Sequence, residues 1–136
     1  MLADIHTSSV IAILPCNDLD AAEAWWNRLG FKRLNDQNHD DYRMLSDPEG
    51  ASIHLTKAVD GWVVRGRNPF GVYIYTSRVD ELAKVAEDAT IRKSGTPKHT
   101  PWGMYEIALN GPDDLLVRIG WPSRLLPGET CPARDA

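Results

Sequence analysis

The feature that most constrains this chain is an internal repeat. The stretch "DPEGASIHLT" (residues 47–56) is a proline turn leading into an extended run, and "GPDDLLVRIG" (residues 111–120) has the same plan. Six residues separate Pro48 from His54 and six separate Pro112 from Arg118, so His54 and Arg118 occupy equivalent places. Proline presets φ and the acidic or glycine residues after it tolerate a reversal, so each stretch is read as a hairpin. Upstream of each lies a helical pattern. In "NDLDAAEAWWNRLG" (17–30), Asn17 or Asp18 offers a cap, Leu19, Ala22, Trp25/Trp26 and Leu29 form an apolar stripe, and Gly30 ends it. In "SRVDELAKVAEDA" (77–89), Ser77 offers a cap with Asp80 three residues on, and Val79, Leu82, Val85/Ala86 and Ala89 form the stripe. The spacing predicts helices over 18–29 and 78–89, preceded by the β-like runs "VIAIL" (10–14) and "GVYIYT" (71–76).

A period of roughly 60 residues reports one supersecondary unit used twice. The expected fold is α+β, with two βαβββ modules (about 9–57 and 70–121) forming a curved mixed sheet, helices outside and a concave cleft within. A polar connection, "KAVDGWVVRGRNPF" (57–70), joins the modules, and a Pro-containing tail (122–136) is expected to be loosely ordered. A chain of 136 residues suits one such domain.

Hydrophobic content of 43% with 25% charged residues excludes the disordered and membrane classes. A net charge of −4 without a Lys/Arg cluster argues against a nucleic-acid partner and would suit a cationic ligand. The start "MLADIHTSSV" lacks a secretion signal, and two cysteines, Cys16 and Cys131, do not make a disulfide framework, so a cytoplasmic location is expected. There is no nucleophile elbow, phosphate loop or CxxC, and Asp40-Asp41 and Asp113-Asp114 read as solvated turn residues; no catalytic residue is assigned.

The motifs "DLDAAEAWWNRLGF", "DPEGASIHLT" and "PWGMYEIALNGPDDLLVRIG" resemble the vicinal oxygen chelate superfamily of glyoxalases, extradiol dioxygenases, fosfomycin-resistance enzymes and bleomycin-resistance proteins. The last motif is most similar to the bleomycin-resistance branch. The resemblance covers about residues 9–121, with Trp25-Trp26 standing where Phe-Tyr is usual. It implies metal ligands on the first and last strands of each half, which fall near Ile11, at His54, near Val72 and at Arg118. Only His54 can ligate a metal, since Arg118 is a permanent cation and the other two carry no donor. His6, His39 and His99 fall in segments read as loops or termini.

The resemblance therefore implies a metal-independent binding protein without a cofactor, sequestering an aromatic or cationic small molecule, such as an antibiotic, in a groove of a homodimer. The alternative it implies is a metal-dependent glyoxalase- or dioxygenase-like enzyme, and a plain interaction domain is a third class. His54, Trp62, Trp102 and Arg118 are the expected ligand-binding residues. Trp102, between Pro101 and Gly103, is set to aim its ring at a cavity mouth; Trp62 sits in the inter-module connection, where it anchors either a ligand or its own loop. Trp25, Trp26 and Trp121 are read as packing residues.

Overall fold

The computed structural model describes residues 8–33, 39–91 and 95–126. His6, Cys131 and the tail beyond residue 126 lie outside them. The elements run β1 (Ala12–Cys16), α1 (Leu19–Arg28), β2 (Lys32–Arg33), β3 (Tyr42–Ser46), β4 (Ser52–Lys57), then β5 (Gly71–Tyr75), α2 (Val79–Val85), β6 (Lys98–His99), β7 (Met104–Asn110) and β8 (Leu116–Pro122). Each module is thus βαβββ, and the sheets have orders β1-β4-β3-β2 and β5-β8-β7-β6. In both, the first strand is parallel to the last and the other pairs are antiparallel.

The register makes the repeat explicit. Ser46 pairs Ser52 across the first hairpin, and Asn110 pairs Leu116 across the second, so Pro48 and Pro112 stand at equivalent turns. His54 lies between Ile13 and Met44, and Arg118 between Tyr73 and Ala108. The residue opposite Arg118 is Tyr73, beside Val72 as the resemblance implied, whereas the residue opposite His54 is Ile13, two residues beyond Ile11. The reason is that β1 begins two residues later than "VIAIL" implied: Val10 is fully exposed and pairing starts at Ala12. Pro15 is accommodated because β1 is an edge strand.

Helix α1 is capped by Asp18, whose Oδ1 accepts from the Ala21 N–H at 3.0 Å. Helix α2 departs from expectation at both ends. Ser77 does not cap it; Arg78 holds the N-cap position, and its N–H donates to Thr76 Oγ1 at 3.2 Å. Past Val85 the chain tightens into a 3₁₀ turn at Glu87–Ala89, while the Val85 carbonyl accepts from Arg28 at 3.0 Å. The first residues of the supposed tail are also ordered: β8 extends to Pro122, and Ser123–Leu125 forms a 3₁₀ turn.

A single core fills the space between helices and sheets. Trp26, Leu29, Phe31, Leu45 and Leu55 from the first module meet Val79, Leu109, Val117 and Ile119 from the second, all at most 1% exposed. Trp26 packs edge-on against Trp25 and Phe31 at 5.1 and 5.2 Å, with Trp25 at the core margin.

The modules are braced by a pair of pseudosymmetric corners. The first hairpin turn reaches the β5–α2 corner, where Glu49 accepts from Thr76 Oγ1 at 2.7 Å and from Arg78 Nε at 3.1 Å. The second reaches the β1–α1 corner, where Asp113 accepts from the Asn17 backbone and side-chain nitrogens, both at 3.0 Å. Asp113 and Asp114 take left-handed conformations, φ 57° and 61°, which aspartate tolerates better than most residues. Asp114 in turn accepts from the Gly66 N–H at 2.6 Å and Asn110 at 3.0 Å. These two carboxylates are thus structural ties rather than the solvated turn residues the sequence suggested, because the turn folds against the other module. Among the described residues no helix is long and apolar enough to cross a membrane.

Candidate ligand-binding site

The site grows from the outward face of the second sheet. Residues two apart on a strand share a face, so Glu106 and Ala108 on β7, Arg118 and Gly120 on β8, and Tyr73 on β5 stand together, away from Ile107, Leu109, Val117 and Ile119 in the core. Gly120 has a specific reason to be glycine. A Cβ there would land on the Tyr73 hydroxyl and lie 3.0 Å from the Glu106 Cβ, so its absence lets the tyrosine lean across β8.

What the tyrosine reaches is Glu106, only 8% exposed. Its Oε1 accepts from Tyr73 Oη at 3.1 Å and from Trp102 Nε1 at 3.0 Å, and its Oε2 from Arg118 Nη1 at 3.1 Å. Three donors from three elements thus converge on one buried carboxylate. Burial, followed by the Glu106 charge and the hydrogen bond to it, pushes the Tyr73 phenol far above its ordinary value, so it stays a neutral donor. Among the described residues no buried side-chain nitrogen or oxygen lacks a hydrogen bond.

Trp102 is held at the tip of the β6–β7 hairpin. Gly103, at φ 87°, donates its N–H to the Thr100 carbonyl at 3.0 Å, and Pro101 stiffens the turn. The indole is anchored through Nε1 yet 64% of the residue remains exposed, leaving a rigid aromatic surface available. Beside it lies a cavity of about 270 Å³ lined by residues that include Lys98, His99, Thr100, Trp102, Glu106 and Arg118.

His99 lines this cavity from β6, in contrast to the loop position expected for it. Its Nδ1 is 2.7 Å from Ser123 Oγ and its ring 4.8 Å from that of Tyr105. The short strand was illegible because two residues carry no periodicity. His39 conforms to the surface reading: it is exposed, and its Nδ1 accepts from the Asp41 N–H.

Within one chain the four expected site residues do not line a single cavity. Arg118 and Trp102 line the cavity. His54 lies on the equivalent face of the first sheet, with Nδ1 2.7 Å from Tyr42 Oη and the two rings in edge contact. Equivalence by repeat put His54 and Arg118 at matching places in two separate sheets, which is symmetry rather than proximity. Trp62 is 78% exposed on the inter-module connection and is not among the cavity-lining residues. Glu106, Tyr73, Lys98 and His99 were missed. Period-two alternation through "MYEIALN" and a glycine inside the last strand were the available signals for Glu106.

A divalent metal does not fit the corresponding first- and last-strand positions. Ile13, His54, Tyr73 and Arg118 supply one ordinary donor, a hydrogen-bonded neutral phenol and a cation. Among the described residues no three His, Cys, Asp or Glu side chains converge as a ligand set.

The sequence profile of the Glyoxalase/Bleomycin resistance protein/Dioxygenase superfamily matches residues 6–119. The chain belongs to this superfamily. Solved structures share the fold. A bleomycin-binding protein complexed with bleomycin is 21% identical, with a TM-score of 0.69 over 85% of this chain and 98% of that one. A bleomycin resistance determinant encoded on the transposon Tn5 is also 21% identical, with a TM-score of 0.70 over the same shares. A lactoylglutathione lyase from Agrobacterium tumefaciens is 18% identical, with a TM-score of 0.61 over 85% of this chain and 94% of that one. No curated protein matches the chain. The superfamily thus includes both binders and enzymes on one architecture, and the function of this member must be argued from its own side chains.

Proposed function

We propose that this protein is a metal-independent binder of an aromatic small molecule, with antibiotics of the bleomycin kind the first ligands to test. The observation that carries this is Trp102: an exposed indole pinned by its own N–H to a buried carboxylate at the edge of a cavity. Pinning removes rotamer freedom before the ligand arrives, so stacking costs less entropy than it would on a mobile ring. Arg118 supplies a polar contact at the same place.

The groove is completed by a second copy of the chain. Ile13 on the first sheet is 57% exposed, and Tyr73 and Tyr75 on the second are 42% and 60% exposed. Exposed isoleucine and tyrosine side chains on these faces favour association. In the dimer, His54 and Trp62 of one copy join the Trp102 and Arg118 of the other in lining the groove. The alternative of a metal-dependent lyase or oxygenase is disfavoured by the donor set just described.

Titration with bleomycin and other aromatic antibiotics should quench tryptophan fluorescence and raise the melting temperature. A hundredfold excess of ligand over its Kd stabilises the fold by about 2.7 kcal/mol. Trp102→Ala should weaken binding by about 1 kcal/mol or more while leaving the fold and the dimer intact. Sedimentation showing a monomer would remove the shared groove. Stoichiometric bound metal lost in His54→Ala would move the assignment to an enzyme.

A further inference from the structure

The cavity beside Trp102 has a charge opposite in sign to that of the chain. Of its described lining residues, Lys98 and Arg118 are cations and Glu106 is the one carboxylate, a net charge of +1 from these three. The negative charge is also the least available of the three. Glu106 is 8% exposed and both its oxygens are occupied by donors, whereas Lys98 is exposed and makes no ion pair among the described residues. Arg118 spends only Nη1 on Glu106; its Nε and Nη2 donate to nothing among the described residues, and its side chain is 42% exposed.

We infer that this cavity selects a planar aromatic monoanion, a carboxylic acid whose ring stacks on Trp102 and whose carboxylate takes the free donors of Arg118 and the ammonium of Lys98. The inference rests on the binding reading above and gives that site its ligand class. A guanidinium with two adjacent donors unspent matches the two oxygens of a carboxylate, and such charge-assisted pairs are roughly twice as strong as neutral ones. A net charge of +1 balances one negative charge, which favours a carboxylate over a dianionic phosphate ester. The volume of about 270 Å³ lies just below the roughly 300–1,000 Å³ of drug-sized sites, so one chain encloses a mono- or bicyclic acid, or the acidic end of something larger. Thr96 and Thr100 add hydroxyls to the lining. The overall −4 charge suggested a cationic ligand, but that excess lies elsewhere on the molecule.

Three probes sharing one ring system decide it: 2-naphthoate, its neutral carboxamide, and the cationic 2-naphthylmethylammonium, each titrated calorimetrically into the intact protein at pH 7. The expected result is that naphthoate binds at least tenfold more tightly than the carboxamide, with the cation weakest, and that the preference shrinks as salt is raised. Arg118→Gln and Lys98→Gln should each lower naphthoate affinity several-fold and shrink the ratio of naphthoate to carboxamide affinity, and an unchanged ratio in both variants would overturn the charge selection. Lys98 is exposed and unpaired among the described residues, so its variant tests the point even where Arg118→Gln disturbs the fold. Carboxamide or cation binding as tightly as naphthoate overturns the charge selection while the binding reading stands. No heat from any probe at millimolar concentration overturns both.

Discussion

Replacing Glu106 by Gln tests whether the converging donors form one energetic unit. The substitution keeps shape and removes a charge. Glutamine offers one acceptor oxygen where the carboxylate offers two, and the three donors are divided between them: Tyr73 and Trp102 on one, Arg118 on the other. If the amide oxygen faces Tyr73 and Trp102, its NH₂ meets the Arg118 guanidinium; if it faces Arg118, the NH₂ meets the indole N–H. Either way a donor loses its acceptor. A hydrogen bond to a charged group contributes about 1.5–3 kcal/mol, and part of that is offset because a buried carboxylate no longer has to be desolvated. Arg118 and Trp102 reach water and recover some of the loss. The net expectation is a destabilisation of about 1.5–2 kcal/mol, or roughly 5–8 °C in Tm for a chain of this size. Arg118→Gln alone should cost less, about 0.5–1 kcal/mol, since its side chain is half-exposed. Urea unfolding of both single variants and the double variant gives the coupling, expected to exceed ~0.5 kcal/mol for residues in contact. Unchanged stability of Glu106→Gln, or additivity within about 0.3 kcal/mol, would refute the idea that Glu106 organises the site.

Gly120→Ala should destabilise by roughly 1–3 kcal/mol, because the methyl displaces the Tyr73 hydroxyl from Glu106; a melting curve matching the parent would show that the tyrosine does not need that space. Stability should fall in acid. Hydrogen bonds from Thr76 and Arg78 hold the Glu49 carboxyl below its ordinary value, that from Arg28 does so for Asp88, and that from Asn110 for Asp114. Lowered folded-state values mean that these contributions are complete above the unfolded-state values near 4 and are lost as pH falls through the lower ones. Arg78→Gln should therefore flatten the urea midpoint's pH dependence below pH 4.5, and an unchanged slope would count against it. Burial, then the nearby Asp113 charge, pushes the Cys16 thiol up to about 12. Peptide mapping should find Cys16 unmodified by iodoacetamide at pH 8 in the folded protein and labelled in guanidinium, whereas rapid native labelling would contradict its burial.

The architecture was readable because it was written twice. Pro48 and Pro112 fixed the hairpins, and the stripes through Leu19, Ala22 and Trp26 and through Val79 and Leu82 fixed the buried helix faces. Boundaries slipped where local signals competed. "VIAIL" has higher β-propensity than "AILPC", yet pairing with β4 selects the latter because that register puts Leu14 and Cys16 into the core. Ser77 had the right residue type for a cap, but the helix starts after Arg78, whose guanidinium is drawn to Asp47 and Glu49 across the module boundary. The site was less legible than the fold because it depends on pairings that no local window contains. Glu106 comes together with Tyr73 through β8, with Trp102 through a turn, and with Arg118 across a strand pair. His54 and Arg118 stand at equivalent points of different sheets, so within one chain a repeat reveals their symmetry and not their proximity.

That equivalence shows what the two modules have done differently with one position. At the centre of the first sheet, His54 turns to Tyr42 on β3, a pair with no ionic partner among the described residues. At the centre of the second, Arg118 turns to Glu106 on β7, which in turn fixes an indole and a phenol. Glu106 occupies the place that Tyr42 holds in the first module, since each lies two residues before the partner of the central side chain, Met44 or Ala108. A tyrosine facing a histidine leaves a partly aromatic surface. A glutamate facing an arginine creates a polar hub that holds an exposed tryptophan in place. The same backbone thus presents a histidine–tyrosine pair on one module and an oriented glutamate–arginine–tryptophan hub on the other, and in the proposed dimer a second copy setting one against the other would enclose a groove with unlike walls. On the proposed function, such a groove would suit a ligand that is aromatic along its length and charged at one end.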